Sequence, residues 1–293
     1  MHFILQIRVG GRELLENCFI HIPGVGATTE RWLWEQGLHN WDACLTLEAK
    51  SMCGYTLAST LESYIKESKT HLKSRNAAYF GDHLPTSEVW RMYADFKDRT
   101  AFLDIETTGF RGMGEITVIG LFDGKETKTF VRGQNFKDFK KEIKKYGLLV
   151  TYNGKQFDVP FLCDSFGDIF SNMAHFDLRF PLHRLGYRGG LKVIQTKLGF
   201  DREDAISCLD GQCAVWLWEE YKAGNKKALD TLLRYNLEDV VVLQSLAEFV
   251  YNEFVQTLPV PVKKLRVRKK PLVNIPYDEA LVKKLAKRRL NYF

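Results

Sequence analysis

The stretch Ala101-Phe-Leu-Asp-Ile-Glu-Thr-Thr-Gly-Phe110 decides the reading of this 293-residue chain. Side chains alternate faces along a strand, so Asp104 and Glu106 point the same way as Phe102, while Leu103 and Ile105 take the other face. Acidic residues are depleted from strands, and holding two like charges together is costly unless a cation neutralises them. A hard divalent ion is the natural neutraliser, because Mg²⁺ takes oxygen ligands and is commonly held by one or two carboxylates plus phosphate oxygens.

Outward from that stretch the pattern is one of short β-rich runs. Thr100 to Ile105, Ile116 to Phe122 and Thr127 to Val131 are separated by Gly-containing turns, as antiparallel neighbours would be. Asn135 to Tyr146 carries Phe136, Phe139, Ile143 and Tyr146 at helical spacing, Leu148 to Tyr152 is a further apolar strand, and helices are expected from there through Asn252. This makes an α/β domain of about 150 residues, a common size. Ahead of it, Met1 to about Asp95 reads as a small helical module with Gly24 and Gly26 as punctuation and a long helix over Leu57 to Lys73. Pro259-Val-Pro261 ends any helix after Leu258, and Tyr277 to Leu290 reads as a last, basic helix. The expected division is 1–96, 97–256 and 257–293.

Two further segments carry acids. Leu149-Val-Thr-Tyr-Asn-Gly-Lys-Gln-Phe-Asp-Val-Pro-Phe-Leu162 runs from a strand through an Asn-Gly turn into a helix whose first turn holds Asp158, where dipole complementation alone is worth about 0.3–1 kcal/mol. Arg234-Tyr-Asn-Leu-Glu-Asp-Val-Val-Val-Leu243 places Tyr235 and Asp239 at i, i+4, a phenol beside a carboxylate on one helix face. Read separately, each segment also fits an ordinary surface acid or helix start.

The ordered set Asp104-x-Glu106, Asn153-Gly-x-x-Phe-Asp158 and Tyr235-x-x-x-Asp239 resembles the three motifs of the DEDD (DnaQ-like) 3′-to-5′ exonucleases. The resemblance covers about Arg99 to Asn252. Within that family it is closer to the YprB-type RNase H-like proteins and the archaeal helicase-associated exonucleases. It implies an α/β RNase H-like domain with a mixed central sheet flanked by helices, preceded here by a small helical domain. The family's histidine form would place His where Arg234 stands, so Tyr235 implies the tyrosine form. By the same resemblance Asp104, Glu106, Asp158 and Asp239 would hold two Mg²⁺ or Mn²⁺ ions and Tyr235 would orient the attacking water. Two such ions lower a water's pKa and stabilise the attacked and leaving oxygens.

Thr107, Asn153 and Gly154 are expected near the terminal nucleotide, with Phe157 or Phe161 available for base stacking and core packing as the competing role. Asp177 reads as structural, and His175 and His183 lack ligand spacing. Ile22-Pro-Gly-Val-Gly-Ala-Thr-Thr-Glu-Arg-Trp-Leu-Trp-Glu-Gln-Gly37 resembles a helix-hairpin-helix element whose Gly24 and Gly26 let backbone N–H groups approach a phosphate, with Thr28 or Thr29 as helix cap. Packing of Trp32, Trp34 and Trp41 is its bland alternative, and Glu30 and Glu35 would repel DNA unless they face away.

Charge is uneven. Residues 257–293 hold 11 Lys and Arg against Asp278 and Glu279, while the rest holds 31 against 34 acids, within a net of +6. Lys263, Lys264, Arg266, Arg268, Lys269 and Lys270 could follow a phosphate backbone, or the tail could pack on the protein through Leu281, Val282 and Leu285. The six cysteines contain no C-x-x-C pair, so neither a zinc finger nor a disulfide framework is expected. Arg8 interrupts the N-terminal apolar run and nowhere do 18 apolar residues follow one another, which reads as a cytoplasmic protein.

The function expected is a metal-dependent 3′-to-5′ exonuclease releasing nucleoside monophosphates from single strands, DNA rather than RNA, in repair or nucleic-acid processing, with a helicase or other repair protein as a candidate partner and no membrane. Its rivals are a non-catalytic nucleic-acid-binding or helicase-adaptor protein of the same fold, and a structure-specific endonuclease.

Overall fold

The computed structural model describes residues 14–200 and 204–290; the part of the expected helical module that falls on residues 1–13 lies outside them. The longest helices ahead of the sheet are α1 (Ala27–Glu35), α2 (Leu47–Lys73) and α3 (Ala77–His83), with single helical turns at Trp41–Cys44 and Tyr93–Phe96. The strands are β1 (Thr100–Thr107), β2 (Ile116–Phe122), β3 (Thr127–Val131) and β4 (Leu148–Thr151), followed by α4 (Asp158–Phe166) and β5 (Ala174–Asp177). Then come α5 (Leu191–Lys197), α6 (Gly211–Lys222), α7 (Lys226–Val255) and α8 (Glu279–Leu290).

The sheet order is β3-β2-β1-β4-β5. β1 to β3 are antiparallel, as the turn-separated runs imply, and β4 and β5 add in parallel, so the sheet is mixed. β1 is central, and alternation along it sorts its side chains between two cores. Phe102 joins Phe122, Val150 and Phe176 under α7, whereas Ala101, Leu103 and Ile105 join Ile119, Phe130, Phe139 and Phe161 on the opposite face. Both faces are covered, which is why every residue of Ile116-Thr-Val-Ile-Gly-Leu-Phe122 is buried.

The first of these cores continues without a break into the N-terminal helices through Phe19, Trp41, Phe80 and Trp90. Trp34 and Trp41 are buried there with their indole N–H groups donating to Asn17 O and Cys18 O, so the tryptophans act as packing units. Glu30 does face away from solvent: its Oε1 accepts from the Phe19 and Ile20 amides at 2.7 and 3.1 Å and its Oε2 meets Arg91 at 3.0 Å.

Four expectations are corrected. The cap of α1 is Gly26, with no side-chain cap bond; Thr28 and Thr29 fall inside the first turn. Asn135 to Tyr146 is not one helix but a 3₁₀ turn, a helical turn over Phe139–Glu142 and a second 3₁₀ turn, because the Asn135 side chain is bonded to Val131 N and Thr129 O and the chain must tighten to bring Phe139 and Ile143 onto the sheet. The long helix starts earlier, at Leu47, and breaks at Gly54, whose φ of 70° lies in the left-handed region. A fifth strand, Ala174–Asp177, stands where helices were expected; at four residues it carries too little alternation to be read, and pairing with β4 makes it a strand.

The basic tail packs on the protein. Residues 265–278 cross α7 against its direction, from Asn252, whose amide bonds both Leu265 N and Leu265 O, to Thr231, which accepts from Asp278 N. α8 then docks on α6 through Leu281, Val282 and Leu285, with Arg288 4.1 Å above the Trp216 ring and Arg289 paired to Asp210. Among the described residues no helix is long and apolar enough to cross a membrane, and the six cysteines are unbridged.

Candidate active site

β4 pairs with β1 only as far as Phe102, so the outer half of β1 runs on past its parallel neighbour. There Asp104 and Glu106 share the face turned to α7, as alternation requires, and α7 brings Asp239 to them. One carboxylate oxygen from each of the three lies within 4.8 Å of the others. Glu106 and Asp239 are buried and Asp104 is half-buried. A β-bulge between Glu106 and Thr107 ends the regular register just beyond the acids, and bulges commonly re-aim side chains beside active sites.

Asn236, absent from the sequence reading, holds this group together. Fully buried, it donates from Nδ2 to Asp104 Oδ2 at 3.0 Å, to Asp104 O at 3.3 Å and to Glu106 Oε1 at 3.4 Å. Its amide lies over Gly120, the residue paired with Asp104 across β1 and β2. A Cβ there would stand 2.0 Å from Asn236 Oδ1 and 2.9 Å from Val240 Cγ2, so only glycine leaves room. The signal existed in the sequence: a glycine inside a strand marks close approach, and Asn236 is a polar residue three positions before Asp239, on the same helix face.

The fourth acid is placed differently. Asp158 opens α4 and is buried, and its Oδ1 accepts from Ile105 N at 3.0 Å, capping the strand edge that β4 leaves open. Burial pushes its carboxyl up to about 7, with Asp177 adding to the rise. It is not one of the three acids that converge.

The loop between β4 and α4 is built by Asp177, in the structural role the sequence suggested. Asp177 Oδ1 accepts from Asn153 N and Arg179 N, and Oδ2 from Lys155 N, at 2.8 to 3.1 Å. This holds Asn153 at a φ of 66°. Gly154 follows because a Cβ would lie 2.3 Å from Thr151 Oγ1. The Asn153 side chain accepts from Arg179 Nη1 at 2.5 Å, and the same nitrogen reaches Gln156 Oε1 at 2.8 Å, which places a guanidinium on the loop that the sequence reading did not single out. His175 bonds Thr151 Oγ1, and desolvation pulls it down to about 3. Phe161 is core, and half-buried Phe157 packs against it with ring centroids 5.1 Å apart.

Tyr235 lies one turn before Asp239 on α7, buried among Trp216, Leu217 and Leu232, with Lys192 Nζ 4.5 Å from its ring centroid. Arg234 points to the other side, pairing with Glu238 at 3.1 Å and donating to Ile275 O in the tail at 3.2 Å. Thr107 donates to Gly109 O at 2.8 Å and turns the chain into a loop on which Phe110 and Met113 are 77% and 87% exposed. A cleft of about 650 Å³ separates the end of this loop from Trp218 and Glu219 of α6.

The remaining sequence candidates are not members of the converging acid group. Gly24, with φ of 81°, and Gly26 are exposed at the start of α1. Lys263, Lys264, Arg266, Arg268 and Lys269 are exposed on the tail, Arg268 paired to Glu248 at 3.4 Å, and Lys270 is paired to Glu238 at 2.5 Å.

A mixed five-stranded sheet whose central strand ends in converging carboxylates under a long helix defines an α/β protein with a candidate divalent-cation centre. The model of the RNase H superfamily matches residues 101–251, just over half of the chain, and the chain belongs to that superfamily. Membership together with the acid group supports a nuclease-type function. Among solved structures it is similar to the family B DNA polymerase from the hyperthermophilic archaeon Pyrobaculum calidifontis, at 18% identity and a TM-score of 0.38, over 52% of this chain and 25% of the polymerase. The match therefore spans a quarter of that polymerase's length. No curated protein matches.

Proposed function

We propose that this protein is a 3′-to-5′ exonuclease of the tyrosine DEDD type, closest to the YprB-like members, which shortens single-stranded DNA to nucleoside monophosphates. The observation that carries the reading is the convergence of Asp104, Glu106 and Asp239 within 4.8 Å. The donor set fits hard divalent ions: three oxygen-only ligands, largely buried, with one neutral amide bridging two of them. Asp158 is kept as the fourth acid, its Oδ1 anchoring the strand edge. Two Mg²⁺ or Mn²⁺ ions bound there would supply a more acidic water and charge stabilisation at the phosphate.

The chain's own residues do the rest. Asn236 holds the Asp104 and Glu106 carboxylates in one orientation. Tyr235, on the same helix face as Asp239, orients the water whose oxygen attacks phosphorus as the bond to the 3′ oxygen breaks, leaving a nucleoside monophosphate and a chain one residue shorter. The loop of Asn153 and Gly154, stiffened by Asp177 and Arg179, and the exposed Phe110 flank the end being removed, with Thr107 at the turn and Phe157 beneath it. Gly24 and Gly26 would meet a phosphate farther along the strand, and the hairpin they belong to is what favours DNA over RNA. In this reading residues 1–96 serve binding, 97–256 cleavage, and 257–293 both packing and binding.

The test is digestion with Mn²⁺ or Mg²⁺ of a 5′-labelled strand as linear DNA, linear RNA and circular DNA, with Asp104→Asn alongside. A ladder shrinking from the 3′ end, absent with EDTA and in the variant, is expected. Cutting of the circle would make the protein an endonuclease, and binding without any cleavage would make it an adaptor.

A further inference from the structure

The tail segment 263–270 holds six cations and no acid. Residues 265–278 run over the 21 helical steps from Asn252 to Thr231, about 32 Å at 1.5 Å per residue, so the segment follows the helix at about 2.4 Å per residue, drawn out but short of full extension. It is pinned at its backbone. Besides the two Leu265 bonds to Asn252, Arg268 O accepts from Ser245 Oγ at 2.7 Å and Arg268 N donates to Glu248 Oε2 at 2.6 Å. Glu248 and Glu238 neutralise Arg268 and Lys270. Lys263, Arg266 and Lys269 are exposed and have no carboxylate partner among the described residues. Lys97, Lys263, Lys264, Arg266 and Arg268 surround a cleft of about 420 Å³ with Glu248 on its wall.

We propose that this pinned segment, whose Asn252 end lies farthest from the acids and whose Lys270 end pairs with Glu238 beside Asp239, is a second nucleic-acid contact that takes the phosphate backbone of the strand whose end is being degraded; the inference rests on the nuclease reading above. The cations are presented in a row from a backbone already ordered in the folded protein, so little conformational freedom remains to be lost on binding. A row suits a linear polyanion. No aromatic residue lies between Pro259 and Pro276, so the segment offers charge without base stacking, and the contact is indifferent to sequence. An interface with a folded protein would draw on buried aromatic anchors, which this surface lacks.

Position sets the length of strand required. Leu265 sits on Asn252, four and a half helical turns from the Asn236 that touches the acids, about 24 Å along α7. A strand with its 3′ end at the acids reaches the Asn252 end of the segment, with Lys263 and Arg266, beyond about seven nucleotides if stacked at about 3.4 Å each and beyond about four if drawn out to roughly twice that spacing. The contact therefore holds long substrates and ignores short ones.

The experiment uses the full chain carrying Lys263→Glu, Arg266→Glu and Lys269→Glu together, all three positions being exposed. Binding is read in the Asp104→Asn background with oligothymidylates of about four and about twenty nucleotides, and the salt slope should flatten by about 2 for the longer strand, from about 0.7 for each of three single-strand phosphates. Affinity for that strand should fall by at least about tenfold in low salt, with binding of the short one unchanged and an unchanged thermal midpoint as the folding control. Equal long-strand affinity and slope in a wild type that cleaves would overturn this inference alone. A wild type that cleaves nothing while the triple variant still loses long-strand binding would sink the nuclease reading and leave the contact standing. Competition by polyglutamate as effective as by unlabelled strand would hand the surface to an acidic protein and overturn the inference.

Discussion

Gly120→Ala tests the architecture of the acid site at a position that touches no substrate. The new methyl would lie 2.0 Å from Asn236 Oδ1, a distance no rotamer of alanine can relieve, so the Asn236 amide must leave its place between Asp104 and Glu106. Overpacking of this kind costs about 1–3 kcal/mol. Lost hydrogen bonds to ionised carboxylates add about 1.5–3 kcal/mol, so we expect about 3–5 kcal/mol in all. Asn236→Ala alone should cost about 2–3 kcal/mol, since it removes the bonds without the clash. In the double variant the clash with the amide has gone and Val240 Cγ2, at 2.9 Å, is the remaining neighbour to shift. The sum of the singles counts the lost hydrogen bonds twice and the relieved clash once, so the pair should be more stable than that sum predicts by about 2–4 kcal/mol. Urea unfolding of the four proteins in EDTA measures this cycle, and the Mn²⁺-induced rise in midpoint, expected to shrink in all three variants, reports the site itself. Additivity within about 0.5 kcal/mol would refute the coupling of Gly120 to Asn236.

Asp104→Asn and Asp239→Asn should each abolish cleavage and the stabilisation by Mn²⁺ while leaving strand binding measurable; either variant at full rate would show the centre to be elsewhere. Tyr235→Phe should slow turnover far more than it weakens Mn²⁺ binding, and an unchanged rate would remove the phenol from the reaction. His21 is buried against Trp41 and Phe80, and burial pulls it down to about 3. Its folded value lies below the unfolded one of about 6.5, so the unfolded chain binds the extra proton between them and stability, full above that range, falls as pH drops through it. Unfolding from about pH 7 down to about pH 4.5 should show a loss of about 2–3 kcal/mol that His21→Phe reduces, and an identical pH slope in the variant would count against it. Truncation after Thr257 should destabilise the whole protein, because α7 would lose the contacts of Val273 and Leu265; a native midpoint in the truncated chain would mean that the tail contributes no packing.

Much of the sheet was legible because its strands are runs bounded by turns. Ile116 to Phe122 and Thr127 to Val131 stand where their patterns put them, and Asp104 and Glu106 share a face because alternation is a local property of the backbone. β5 was hidden for the opposite reason, being four residues that become a strand only beside β4. Asn153 and Gly154 could be named as a turn, but not the Asp177 and Arg179 that build it, since those come from a different strand end.

By itself the sequence determined the order and spacing of three acid-bearing segments, the alternation that pairs Asp104 with Glu106, and the helical step that keeps Tyr235 beside Asp239. These follow from backbone periodicity, which nearest neighbours along the chain are enough to set. Only the tertiary structure decided which acids meet. Asp239 converges with the strand pair and Asp158 turns to Ile105 N, because the pairing of β1 with β4 ends at Phe102 and leaves an amide that some acceptor must satisfy. It also decided that the basic tail is half packing and half surface. Asn252, Ser245 and Glu248 capture its backbone 13 or more residues away in sequence, and such long-range partners leave no mark in a local pattern.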